Sequence, residues 1–140
     1  MSLQNRIYLK SKFENDDKPT EQDCIDVIDS FNNITNDGIL VGGQSGITAY
    51  SGGGQTNAYQ LTKSVNEVKT NTSNYGSVKL PAAKAGMSVA VWNNTNKLLN
   101  IFPATGEELD SIGINTGWTV WYGSIQYFYC YIDGNWFILL

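Results

Sequence analysis

From residue 58 to the last residue the chain reads as short apolar–polar alternations broken by turn residues. In GMSVAVWN, residues 86–93, Met87, Val89 and Val91 fall on one side and Ser88, Ala90 and Trp92 on the other. That is the period-two pattern of a half-buried strand. AYQLT, VNEVKT, GSVKLPAA and KLLNIFPA read as further short strands, with Asn71, Ser73, Asn74 and Gly76 as turn residues and Pro81 as a stop. TGEELDSIGINTG is expected to be a loop with Leu109 and Ile112 turned inward. The closing stretch, WTVWYGSIQYFYCYIDGNWFILL, carries Asp133-Gly134 between apolar runs, a two-residue hairpin signal. Helical patterning is nearly absent here. Strands at this spacing predict a compact antiparallel β-sandwich or barrel over residues 57–140.

The first third of the chain follows a different period. RIYLKSKF offers a short extended arm and ENDDKP a polar turn. Thr20 is then a good N-cap, followed by Glu21, Gln22 and Asp23, whose acids suit the positive end of a helix dipole. Cys24, Ile28 and Phe31 recur at i, i+4 and i+7 with Ile25 and Val27 alongside, one apolar helical face ended by Asn32-Asn33 and Asn-Asp-Gly. Such a helix, roughly 12 residues long, is too short to stand alone in water. It needs a surface to dock on, expected to be another protein or copies of itself, with Cys24, Ile25, Ile28 and Phe31 as the anchor.

Between these parts, residues 34–56 hold seven of the chain's 14 glycines. That density predicts a hinge, with Gly52-Gly53-Gly54 as the domain boundary. Ile39, Leu40, Val41, Ile47 and Tyr50 are too apolar for a solvated spacer. In an oligomer they would fill an axis that the glycines allow neighbouring chains to approach. The expected organisation is therefore a mostly β protein in three parts: an attachment segment with a short helical anchor (1–33), a Gly-rich hinge and oligomer axis (34–56), and a β domain (57–140).

Charge and chemistry narrow the function. Charged residues are 16% of the chain, against roughly 25% in an average domain. The net charge of −4 comes from the first two parts, because five lysines balance five acids after residue 56. With no basic stripe to release counterions, nucleic acid is not an expected partner. No stretch has the length of a membrane span and the first residues lack the apolar run of a secretory signal. A soluble protein made in the cytoplasm, with no membrane partner, is expected, and with it two reduced, buried cysteines, Cys24 and Cys130.

The chain has no histidine, which removes the commonest general base and most zinc sites. Glu107, Glu108 and Asp110 read as solvated loop charges without calcium-loop spacing. GGQSGITAYSGGG lacks the Lys-Ser/Thr end of a phosphate loop, and Ser45 in GQSGI has no histidine to activate it. No catalytic residue, cofactor or metal is expected. What remains is the crowd of aromatics from Trp118 to Phe137. Tyr127, Tyr129 and Trp136 are its candidate contact residues, read first as a subunit interface and alternatively as a row stacking on glycans.

Two stretches carry a resemblance. LKSKFENDDKPTEQDCIDVIDSF, with its lysines, Phe-Glu-Asn, Pro-Thr, acid pair and Ile-Asp-Ser-Phe, resembles an N-terminal segment of tail-fibre and other virion proteins of tailed bacteriophages and prophages. The stretch from GSVKLPAAKAGMSVAV through NIFPATGEELD to DGNWFIL resembles a β module of phage structural proteins, with Val-x-Leu-Pro, Ala-Gly-x-x-Val, Asn-x-Thr, Ile-Phe-Pro-Ala-x-Gly and a closing Gly-x-Trp. The resemblance implies a virion part without an active site: a head fibre, a capsid decoration or a short tail appendage. The short chain, without a collagen-like or coiled-coil shaft, favours a head fibre over a long tail fibre. The resemblance further implies a homo-oligomer, a homotrimer before a dimer, attached to capsid or other virion proteins through the N-terminal segment.

Overall fold

The structure, a computed structural model, describes Thr20 and residues 40–140. The chain divides into two units, Met1–Asp37 and Gly38–Leu140, and the fold below is that of the second. The expected helix, with its anchor residues Cys24, Ile25, Ile28 and Phe31, lies outside the described residues.

Ten strands and, among the described residues, no helix make up this unit. They are β1 (Gly43–Thr48), β2 (Tyr59–Gln60), β3 (Val65–Thr70), β4 (Gly76–Lys79), β5 (Ser88–Asn93), β6 (Leu99–Phe102), β7 (Glu108–Leu109), β8 (Trp118–Val120), β9 (Ile125–Ile132) and β10 (Asn135–Leu139). The protein is mostly β, as the alternation predicts. The pairing is only partly the expected antiparallel one. A six-stranded sheet runs β1-β3-β5-β9-β10-β7 and a four-stranded sheet β2-β4-β6-β8. Successive strands from β1 to β6 alternate between the sheets, and every pair among them is parallel. Parallel neighbours require a crossover, and here the opposite sheet supplies it. The first six strands thus form a wound coil, in which Gly43 lies beside Val65 and Val65 beside Ala90. The later strands close it with antiparallel pairs: β9 beside β5, β10 beside β9, and β8 beside β6.

Buried asparagines hold the corners of the coil. Asn71 follows β3 and donates through Nδ2 to Leu98 O at 2.8 Å. Asn93 ends β5 and donates to Lys97 O at 2.8 Å and Val120 O at 3.1 Å. Asn66 donates to Lys63 O and Ala90 O. All three are buried, and each side-chain amide meets its need for acceptors on backbone carbonyls of the coil. Asparagine here turns the chain into the opposite sheet, not back along a neighbour. Gly76 sits against Asn71, where any Cβ would collide with the Asn71 Oδ1 atom.

One core lies within the unit and draws on both sheets. Val68, Val89, Val91, Phe128 and Trp136 come from the larger sheet, and Val78, Leu99, Ile101 and Val120 from the smaller. The alternation read over residues 86–93 is observed: Met87, Val89 and Val91 are buried while Ser88 and Trp92 are exposed. Leu109 is buried as expected, but Ile112 is 41% exposed, because Asp110 and Ser111 at positive φ swing the chain outward after β7. Asp133-Gly134 makes the expected hairpin between β9 and β10, with Ile132 paired to Asn135 and Gly134 at φ 84°.

Part of the expected hinge is strand. β1 forms the edge of the larger sheet, and Ile47 is 2% exposed. Its glycines serve geometry. Gln44 lies beside Asn66 and Ile47 beside Val68, so Ser45 and Gly46 together face Glu67. This is a β-bulge, and Gly46 adopts φ 77° there, a left-handed conformation that costs glycine nothing. The extra residue keeps Ile47 in the core and brings Ser45 next to Glu67.

Candidate functional site

The outer face of the larger sheet is apolar where solvent would favour polar residues. The register aligns Gly43, Val65, Ala90, Tyr127 and Leu139 in one row across the strands. Glu67, Trp92 and Ile125 form a second row, and Ser88, Tyr129 and Phe137 a third. Ala90, Glu67 and Phe137 are half-buried, and the large apolar side chains Val65, Trp92, Ile125, Tyr127, Tyr129 and Leu139 are exposed, from 38% at Trp92 to 58% at Val65 and Leu139. Among these residues only Glu67 carries a charge. A contiguous exposed patch of this kind marks an interaction surface, whereas scattered apolar residues do not.

The face has two parts. Over β9 and β10 it is a ledge, where the Tyr131 and Phe137 rings stack with centroids 4.1 Å apart and 21° between planes. Tyr129 and Leu139 stand on the same outward side. Over β1, β3, β5 and β9 it is a groove of about 450 Å³, whose walls include Ser45, Val65, Glu67, Trp92, Ile125 and Tyr127. Glu67 is the groove's polar centre. Its carboxylate accepts hydrogen bonds from Ser45 Oγ and, at 2.7 Å, from Asn94 Nδ2. The Ser45 hydroxyl first, and Asn94 after it, hold the Glu67 carboxyl below the ordinary glutamate value against partial desolvation, with Lys69 adding a smaller pull. Lys69 Nζ stands 3.8 Å from Oε2. The groove therefore presents a fixed carboxylate beside an indole ring.

Beyond the groove, the turn between β8 and β9 exposes Trp121 and Tyr122, whose rings meet edge to face at 6.2 Å. The turn is tied to the end of β5 by Gly123 N to Asn93 O at 2.8 Å and Asn93 N to Ser124 O at 2.9 Å.

The expected contact residues separate. Tyr127 and Tyr129 are 52% and 41% exposed on the outer face. Trp136 is not there: it is fully buried, and its Nε1 donates to Pro81 O at 3.3 Å, so it packs the core and cannot stack on a ligand. The sequence marks none of Trp92, Glu67 and Asn94 as a site residue, and it offers Ser45 only as a nucleophile without a base. Nothing local joins positions 45, 67 and 92. Only the coil's own advance, from Gly43 to Val65 to Ala90, brings them side by side.

The remaining chemistry is structural. Glu107 accepts from Ala83 N at 3.0 Å through both oxygens, and Glu108 accepts from Asn135 Nδ2 at 3.3 Å, so the acids of this loop anchor backbone and side chain. No group of three or more metal-ligating side chains occurs among the described residues. Cys130 is free and buried, with its thiol pushed up by desolvation, the opposite of a reactive thiolate. No helix among the described residues is long and apolar enough to cross a membrane. No protein-family model, curated protein or solved structure matches the chain.

Proposed function

We propose that this protein is a non-enzymatic structural component of a tailed-phage particle, a head fibre or capsid decoration. Residues 1–33 attach it to the capsid or another virion protein, and the β unit self-associates, as a trimer before a dimer. The observation that carries the reading is the apolar outer face of the six-stranded sheet, above all the ledge of Tyr129, Tyr131, Phe137 and Leu139 over β9 and β10. Tyrosine and other aromatics with few charges are what the centre of a subunit contact is made of. The resemblance of the two stretches to virion proteins supplies the particle.

Sedimentation velocity of the full chain tests the assembly. A stable oligomer at micromolar concentration is expected, and paired substitutions Tyr129→Glu and Leu139→Glu convert it to monomer. A wild-type monomer at that concentration overturns self-association. Mass spectrometry of purified particles tests the location, and absence of the chain from them overturns it.

A further inference from the structure

An ionised side chain in an apolar groove needs partners, and Glu67 has them only in part. A carboxylate offers about four lone-pair sites. Ser45 and Asn94 occupy two, and Lys69, on a side chain that is 55% exposed, adds a loose ion pair at 3.8 Å. Only 16% of the Glu67 side chain meets solvent. Sealing the groove under the apolar face of a second copy would strip that charge of its remaining water with only the 3.8 Å ion pair to Lys69 to offset the loss, an unfavourable burial. A phosphate or acidic polymer would be repelled. A pyranose fits both demands: it has an apolar C–H face for an aromatic ring and a rim of hydroxyl donors for a carboxylate.

We propose that the groove binds neutral hexose units of a polysaccharide, with the Trp92 and Tyr127 rings under the sugar faces and the Glu67 carboxylate accepting vicinal hydroxyls. The groove crosses four adjacent strands, and at roughly 4.8 Å between neighbours it is about 14 Å across. That is room for two or three linked rings, whereas a single lysine ammonium would use one end. The ligand-binding groups are held before the ligand arrives: the bulge at Ser45-Gly46 and the Asn94 amide fix the carboxylate, which lowers the ordering cost of binding. The site goes beyond the virion reading and does not depend on the oligomeric state.

Saturation-transfer NMR on the full chain, with cellohexaose, mannohexaose and oligogalacturonate at millimolar concentration, tests it. At least one neutral oligosaccharide gives signal and the acidic one gives none. Glu67→Gln, nearly isosteric, weakens binding roughly tenfold or more, as loss of a hydrogen bond to a charged group should. Trp92→Ala removes the signal, and circular dichroism of both variants stays that of the wild type. Silence from both neutral probes overturns the proposal, as does binding that both variants leave intact. So does a lower sedimentation coefficient of the variants, which would make the groove a subunit seam. Sedimentation of the same samples reads assembly separately. A monomer that binds saccharide sinks only the assembly reading, and an oligomer that binds none sinks only this site.

Discussion

The wound strands β1 to β6 and the closing strands β8 to β10 share one core but solve the outward face differently. In the coil, outward positions mix Glu67, Lys69 and Ser88 with Val65 and Trp92, and corners are held by buried asparagine amides. In the closing part, outward positions are Tyr127, Tyr129, Tyr131, Phe137 and Leu139, and the turn is a two-residue hairpin. The first region is polar enough to hold a carboxylate in place. The second satisfies its aromatics partly by stacking them on each other. A single continuous sheet can therefore carry a ligand-type groove at one end and a contact ledge at the other, because parity fixes which residues face out and the residue chosen fixes what they do.

The sharpest way to break this comparison is to invert its most apolar strand. Trp136 and Phe137 are consecutive in β10, yet Trp136 is fully buried while Phe137 joins the outer face. Trp136→Ala removes a buried indole and its bond to Pro81 O, and should cost about 3–5 kcal/mol in chemical denaturation. Tyr129→Ala, on the opposite side of the same pair of strands, should change the stability of the dissociated chain by under ~1 kcal/mol while weakening self-association. Equal losses would mean that the ledge is part of the core.

The fate of Trp136 also shows what the sequence could and could not reveal. Over residues 86–93 polar and apolar positions alternate, and the inward face was legible. NWFILL has no alternation, so nothing in it assigns Trp136 to either side. The Asp133-Gly134 hairpin was legible because its turn is local. The parallel winding was not, because the partner of Asn71 is Leu98 and that of Asn93 includes Val120. Asparagine and glycine signal that a chain turns, not which strand it turns toward. Gly46 was read as freedom and is instead a fixed left-handed residue in a bulge, a role visible only once Gln44 and Ile47 are paired with β3. Glu67 counted as one of five balanced acids until the coil set it beside Trp92.

A second, smaller effect tests whether the coil rests on its corners as the closing part rests on its hairpin. Asn93→Ala leaves Lys97 O and Val120 O without the donor that joins them, inside a site where Asn93 is fully buried. The expected loss is about 1–3 kcal/mol, read from the denaturation midpoint, with the ladder between β9 and β10 keeping its amide-exchange protection longest. If β9 and β10 lose protection together with β5 and β6, the two regions are one cooperative unit.

The smallest expected effect lies in the acid limb. Because Ser45 and Asn94 lower the Glu67 carboxyl in the folded chain, its contribution to stability is fully present above the unfolded glutamate value and is lost as the pH falls through the folded one. Ser45→Ala removes the largest cause of that shift, so the Glu67 carboxyl resonance should titrate at higher pH than in the wild type. Glu67→Gln should flatten the wild-type loss of stability in that window while changing neutral-pH stability little, since the glutamine Oε1 can still accept from Ser45 or Asn94 and the pull of the exposed Lys69 is screened. The closing strands supply the control, because Tyr129→Ala should leave both curves where they are. A Glu67 titration indifferent to Ser45 would mean that the bulge at Gly46 serves only to keep Ile47 in the core, and that the carboxylate in the groove is not held ready for a ligand.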